Sequence, residues 1–340
     1  MNTSPEIQQA LASRDYPRLV DLLGSEPAET LGPLGRTLRF ARNMLALRER
    51  DPDLAEEVER APTTRRVRII VAPDHCETLS LGAAAENPLC PGGSPTAVIE
   101  QTEQRLRELR DPSRSLALAG VGDGHALTRL AEERPDTLGR ERTVYLIEPD
   151  PEMLRSAMML HDWHGAHGPI ASRRFLLFVG AEWHERLERT LTPDARLPPP
   201  REAVRLCADP TPVRDALRAA SEAIGVEIKA RRRRLAGTYA PRTPANIAER
   251  LGSPDARVML LTTRYSTVLQ HSTRFLAEGF ERVGCATHVV SEDKPWEQHL
   301  IASLLGETER FTPDLIVQID HHRHETPGVF PDQIPFVCIV

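Results

Sequence analysis

The sequence predicts an α/β protein, two tandem Rossmann-like parallel-sheet domains with an N-terminal helical segment. Three observations predict it. Short apolar runs alternate with helix-length segments between Ser115 and Val179, the same alternation restarts at Arg257, and the residues before Val67 carry helical spacing. Such alternation reads as right-handed βαβ crossovers in a parallel sheet. The composition agrees: 340 residues, 40% hydrophobic and 27% charged with net charge −6, describe a globular chain with room for roughly two domains.

From Pro5 to about Arg60, Leu19, Leu22 and Leu23, then Leu38, Phe40, Ala41, Met44 and Leu45, recur at helical intervals. Val67 to Ala72 is a β-branched run ending at Pro73 that would feed a sheet. A loop rich in Gly and Pro (Pro88, Pro91, Gly92, Gly93, Pro95) and a helix from about Thr96 to Leu109 follow. The most regular stretch runs strand Ser115 to Ala119, glycine turn, helix to about Glu133, strand Thr143 to Ile147, helix Pro151 to Trp163, strand Arg174 to Val179. Pro198, Pro199 and Pro200 close it, and a helix from about Thr211 to Leu235 leads to a second loop, Gly237 to Pro254. Beyond it come strand Arg257 to Thr262, a helix from Ser266 with Gly284 as its C-cap, and strand Ala286 to Val290. A helix started by Asp293 and Pro295 and ended by Gly306 follows, then strands Asp314 to Ile319 and Ile334 to Val340. The last reads as a central strand whose crossover has no sequence to complete it, so the chain is expected to be the front part of a longer protein. The expected domains are a helical preface (1–65), a nucleotide- or nucleoside-binding-like domain (66–200), a helical linker (201–254) and a second Rossmann-like domain (255–340).

No apolar stretch nears the ~20 residues that span a bilayer, and Met1 to Glu6 lack the basic and apolar regions of a secretory signal, so a cytoplasmic protein without a membrane span is expected. The negative net charge gives nucleic acid no obvious footing. Cys76, Cys90, Cys207, Cys285 and Cys338 lie far apart with no C-x-x-C pair and read as small buried hydrophobes. Arg231 to Arg234 sit at the end of an expected helix and read as solvated cations that offset its dipole.

The first constellation is Gly120-Val121-Gly122-Asp123-Gly124-His125, with Glu148-Pro149-Asp150 ending the next strand. Glycines at a strand-to-helix turn permit φ > 0 and a close backbone approach, and an acid ending the second strand accepts hydrogen bonds from a ribose. Gly120, Gly122, Gly124, Glu148 and Asp150 are therefore the candidate cofactor-binding residues. The spacing G-x-G-x-G differs from the dinucleotide fingerprint, and Asp123 would oppose a pyrophosphate by ~0.3 to 1 kcal/mol. NAD is thereby demoted in favour of a nucleoside whose charge lies elsewhere, as in S-adenosylmethionine.

Residues from about Leu116 to Trp183 resemble the domain shared by bacterial motility accessory factors and archaeal hydroxymethylpterin diphosphokinases, through Gly120, Gly122, Gly124, His125 and Glu148-Pro149-Asp150. Class I methyltransferases are similar over the same stretch, but no Asn/Asp-Pro-Pro-aromatic motif follows the later strands.

The second constellation, Asp320-His321-His322-Arg323-His324-Glu325, follows an apolar strand at the edge where parallel sheets place their ligands. The triplet Asp-His-His also resembles one motif of the manganese phosphoesterases named for it. The other strand ends read Thr262-Thr263-Arg264 and Val290-Ser291-Glu292-Asp293, so that metal set is incomplete and no metal is expected. His161, His164 and His167 read as histidines at a helix end, with Gly165 and Gly168 breaking the helix before His167 can join.

Arg257 to Val340 resembles the N-terminal domain of the family that includes the spore-maturation CgeB-type glycosyltransferases. The residues are Thr262-Thr263-Arg264, Thr267-Val268-Leu269-Gln270, Glu278-Gly279-Phe280, Asp314-Leu315-Ile316, His321 to Arg323 and Pro335-Phe336-Val337. The resemblance implies a GT-B architecture with this domain receiving the acceptor, a protein or glycan. A second domain, outside these residues, would hold a nucleotide-sugar donor. It also implies a general base from this domain, for which His321 and His322 are candidates, His271 a lesser one, with Arg264 and Arg323 as substrate contacts. The expectation is the N-terminal part of a bacterial glycosyltransferase; the alternatives are a methyltransferase using S-adenosylmethionine and a non-catalytic module that tethers an acceptor.

Overall fold

The computed structural model describes residues 4–64, 67–73, 75–81, 95–109, 115–325 and 328–340. The expected Gly/Pro loop through Pro88 to Gly93, with Cys90, lies outside the described residues. The chain is α/β, with two four-stranded parallel sheets, and it divides into two compact units. Unit 1 comprises residues 1–134, 142–187 and 200–216; unit 2 comprises residues 135–141, 188–199 and 217–340.

Unit 1 opens with α1 (Pro5–Ser13), α2 (Tyr16–Leu23), α3 (Pro33–Arg50) and α4 (Pro52–Arg60). Each has a proline in its first turn, where the missing N–H is no loss. Ser4, Asp15 and Asp51 accept from the amides of Ile7, Arg18 and Leu54 as N-caps. Met44, Leu47, Leu54 and Val58 of these helices share one core with Leu146, Leu154, Trp163 and Phe175. Asn43, wholly buried, donates to the carbonyls of Met158 (2.9 Å) and His161 (2.7 Å) and accepts from the Trp163 amide (2.8 Å).

The Val67 run feeds a sheet, but one of its own rather than the parallel one. Strand β1 (Val67–Val71) turns at His75, whose φ is +64°, and pairs antiparallel with β2 (Glu77–Leu81) as a separate two-stranded sheet. Helix α5 (Pro95–Leu109) precedes the regular stretch: β3 (Leu116–Ala119), α6 (His125–Ala131), β4 (Val144–Glu148), α7 (Pro151–Leu160), β5 (Phe175–Val179), α8 (Trp183–Thr190) and β6 (Ala203–Arg205). The sheet order is β5-β4-β3-β6, all parallel. Every residue of β3 and β4 is buried, as a parallel strand covered on both faces requires.

Helix α9 (Pro210–Tyr239) and α10 (Pro244–Leu251) lead into β7 (Arg257–Leu261), α11 (Thr267–Arg282), β8 (Ala286–Val290), α12 (Ile301–Phe311), β9 (Leu315–Ile319) and β10 (Phe336–Ile339). The order β10-β9-β7-β8 places the topological switch between β7 and β9. Gly284 stands just past the α11 cap at φ +96°. Strand β10 is bonded to β9 alone among the described residues. Two expectations fail here. The segment 291–300 is irregular, so α12 starts at Ile301 rather than near Asp293. Gly306 lies inside that helix, where a Cβ would overlap the Arg231 guanidinium.

Arg231 is accordingly not solvated: it is 8% exposed, paired with Asp194 (2.6 Å) and Glu227 (3.1 Å), and donates to the Ala302 carbonyl. Two carboxylates make that burial tolerable. Among the described residues no helix is long and apolar enough to cross a membrane.

Candidate functional site

The tips of β3 and β4 bring Gly120, Gly122, Gly124 and Glu148 together. The glycines take φ of +91°, +60° and +90°, values that a side chain would strain. Glu148 is 2% exposed; its Oε2 accepts from the Val121 amide at 2.8 Å and its Oε1 from the Asp150 amide at 2.9 Å. Burial pushes its carboxyl up to about 7, against the pull of those two amides. Asp150 caps α7, accepting from the Glu152 amide at 2.9 Å.

The room that the glycines leave is taken by the chain itself. A Cβ on Gly120 would overlap Cys207 Sγ, and one on Gly124 would come within 2.5 Å of the His161 ring. Asp123, 1% exposed, accepts from the Thr78 hydroxyl (2.9 Å) and the His125 amide (3.2 Å). His161 is the C-cap of α7, stacks on Trp163 at 5.2 Å, and bonds the Asp123 carbonyl through Nε2 at 2.7 Å. Burial drives its pKa down to about 3, so it stays neutral and acts by packing rather than as a cation on the helix dipole.

In unit 2 the loops after β7, β8 and β9 carry the second set. Arg264 follows β7; its guanidinium donates to the Asp293 carbonyl and its amide to Glu292 Oε2 (3.0 Å). After β9, Asp320 turns the chain at φ +57°. His321, about half exposed, places Nδ1 2.7 Å from Glu325 Oε2, and that hydrogen bond holds the Glu325 carboxyl below its ordinary range. His322 stacks on His324 at 5.3 Å. Arg323 donates to the carbonyls of Ile334 (2.9 Å), Phe330 (3.3 Å) and Pro331, which ties the loop to the approach of β10. His271 lies on α11, its Nδ1 3.3 Å from Arg274.

Three participants were visible in the sequence but were assigned no role in a site. Glu325 stands four residues after His321, a spacing that could have flagged it. Glu292, 8% exposed, lies 3.5 Å from His299 Nε2, whose nearer partner is the Thr262 carbonyl at 2.8 Å. Cys207 reaches the glycine turn from far along the chain, and no local signal announces it. Among the described residues no three His, Cys, Asp or Glu side chains converge as metal ligands would.

No family model and no curated protein matches the chain. Among solved structures, that of the MAf glycosyltransferase from Magnetospirillum magneticum AMB-1 is similar to it, with 11% identity and a TM-score of 0.37 over 86% of this chain and 51% of that one. The chain thus spans about half the length of that protein.

Proposed function

We propose that the chain is the acceptor-side part of a bacterial GT-B glycosyltransferase, which moves a sugar from a nucleotide-sugar donor to a hydroxyl of a protein or glycan. The observation that carries the reading is the His321–Glu325 pair at the tip of β9, on the side of the switch point where α/β sheets bind ligands. With Nδ1–H donated to Glu325, Nε2 is left as the bare lone pair, and the carboxylate stabilises the imidazolium that forms when Nε2 takes a proton. The acceptor O–H then gives its proton to Nε2 and its oxygen bonds the anomeric carbon. The bond from that carbon to the donor phosphate breaks, and its electron pair leaves with the nucleotide.

His322, stacked on His324, is the second candidate base. Arg264 keeps guanidinium donors beyond the one given to Asp293 and is assigned to the acceptor, whereas Arg323 positions the histidine loop through its carbonyl contacts. Methyl transfer from S-adenosylmethionine, the other chemistry a glycine turn admits, has no Asn/Asp-Pro-Pro-aromatic motif after the later strands to hold a substrate amine.

The test is consumption of a panel of nucleotide sugars by the natural full-length protein with its cell extract as acceptor. Loss of a general base lowers turnover on the order of 10² to 10⁴-fold. His321→Ala is expected in that range, and Glu325→Gln is expected to be milder. Turnover of His321→Ala within twofold of the parent, or no sugar consumed by the parent, overturns the reading.

A further inference from the structure

Helix α11 has an apolar flank that faces solvent. Its inner side, Thr273 and Ala277, is buried, while His271, Arg274, Glu278 and Arg282 form a charged outer side. Between them run Val268, Ser272, Phe275 and Gly279, spaced four, three and four residues apart, with Val283 just past the helix end. That is the seam spacing of a helix pair, narrower than the stripe that packs a helix on a globular core. Val268, Phe275 and Val283 are each more than half exposed, even with the Arg274 guanidinium 5.6 Å from the Phe275 ring centre. Single exposed apolar residues are ordinary, but three along one seam are not.

The sheet beside this flank is open as well. Val317 of β9 shares a cluster with Ala277 of α11, and Val337 and Ile339 of β10 lie in register with Val317 and Ile319. Side chains alternate along a strand, so Val337 and Ile339 face the α11 side, and both are exposed there. An all-parallel sheet is covered on both faces, and α11 alone does not close this one. Glu281 accepts from Thr287 of the edge strand β8, so the seam, on the opposite side of α11, runs along β9.

A second copy of this helix fits the flank, because the flank complements itself. In an antiparallel pair about a two-fold axis, the register that sets each Phe275 opposite the other copy's Ser272 also sets each Val268 opposite the other copy's Gly279. Large then meets small in every layer. A Cβ on Gly279 would meet nothing within 4 Å, so the valine has open space to enter. The same register flanks the seam with His271 opposite Glu278. Nδ1 of His271 lies 3.3 Å from the Arg274 guanidinium and accepts from it, which leaves Nε2–H to donate outward. Glu278 has only long contacts within its own helix, 3.9 Å to Arg274 and 3.6 Å to Arg282, and keeps acceptor capacity for that donor.

We infer that the α11 flank is a homodimer interface, in which the α11 helices of two copies pack antiparallel alongside β9. The pairing withdraws His271 from the candidate bases. It concerns unit 2 alone and does not rest on the acceptor chemistry assigned to His321.

The test is sedimentation equilibrium of the whole protein, whose single chain is 37.9 kDa. A monomer–dimer equilibrium with a Kd on the order of 10 µM is expected. Phe275→Asp places a charge in both central layers and should raise Kd at least about a hundredfold. Val226→Asp, at an exposed valine of α9, should leave it unchanged. Gly279→Val alone should weaken the dimer about tenfold, and adding Val268→Ala should bring Kd back to within about threefold of the parent. Circular dichroism of each variant should match the parent, since every substituted residue is exposed. A parent that stays monomeric at about 100 µM, a dimer that Phe275→Asp leaves intact, or one that Val226→Asp also breaks overturns the interface. A double variant no tighter than Gly279→Val overturns the pairing of Val268 with Gly279 and the register built on it.

Discussion

Replacing Glu148 with glutamine isolates the cost of burying an acid at the tip of β4. The native carboxyl binds its proton more tightly than the unfolded one, with its pKa raised from 4.5 to about 7. Its contribution is therefore most favourable below pH 4.5, is lost progressively as pH climbs to about 7, and is constant above. At about 1.36 kcal/mol for each tenfold change in proton affinity, the loss across that window is roughly 3 kcal/mol. Glutamine has no such dependence, although its amide must face the N–H of Val121 or of Asp150, an added cost of about 1 to 3 kcal/mol at every pH. Urea unfolding followed by tryptophan fluorescence reads the difference. Trp163 and Trp183 are buried in unit 1, and Trp296→Phe in both proteins removes the third tryptophan and leaves unit 1 alone to report. The parent is expected to lose about 3 kcal/mol more than Glu148→Gln between pH 4.5 and 8. Equal slopes in the two proteins would refute the claim that this carboxyl is held at an unfavourable charge.

Two further substitutions probe unit 2. Asp314, 1% exposed, accepts from Arg242 (3.0 Å), Arg250 (2.9 Å) and the Arg257 amide (3.0 Å), so Asp314→Ala strands three donors and should cost about 3 to 5 kcal/mol in urea unfolding read from Trp296. A loss under ~1 kcal/mol would reduce the cluster to surface ion pairs. Gly306→Ala forces the Arg231 guanidinium off its seat, and a loss of about 1 to 3 kcal/mol is expected despite alanine's better helix propensity. A stabilised variant would show that helix propensity, not Arg231, sets the residue there.

The alternation of strands and helices was legible because periodicity reports which side of an element is buried, and burial here is decided within each βα unit. What failed was decided at long range. Gly306 looked like a terminator because glycine usually ends a helix, yet it serves the Arg231 side chain that crosses it. Asp293 and Pro295 carry helix-start chemistry, but their carbonyls are spent on Arg264 and Tyr265. In the site, the glycines and Glu148 could be read from spacing, and so could the position of His321 on a strand tip. The contents of the crevice could not, since Cys207 meets Gly122 across 85 positions.

Helix α3 has a kinetic meaning as well. The stretch from His161 to Arg174 has no strand ladder of its own; Asn43 takes its first residues, and Arg50 holds the carbonyls of Pro169, Ile170 and Ser172. Such bonds close only when two pieces of chain about 120 positions apart meet, the kind of separation that slows folding. The native order of that loop therefore depends on α3 being docked against it.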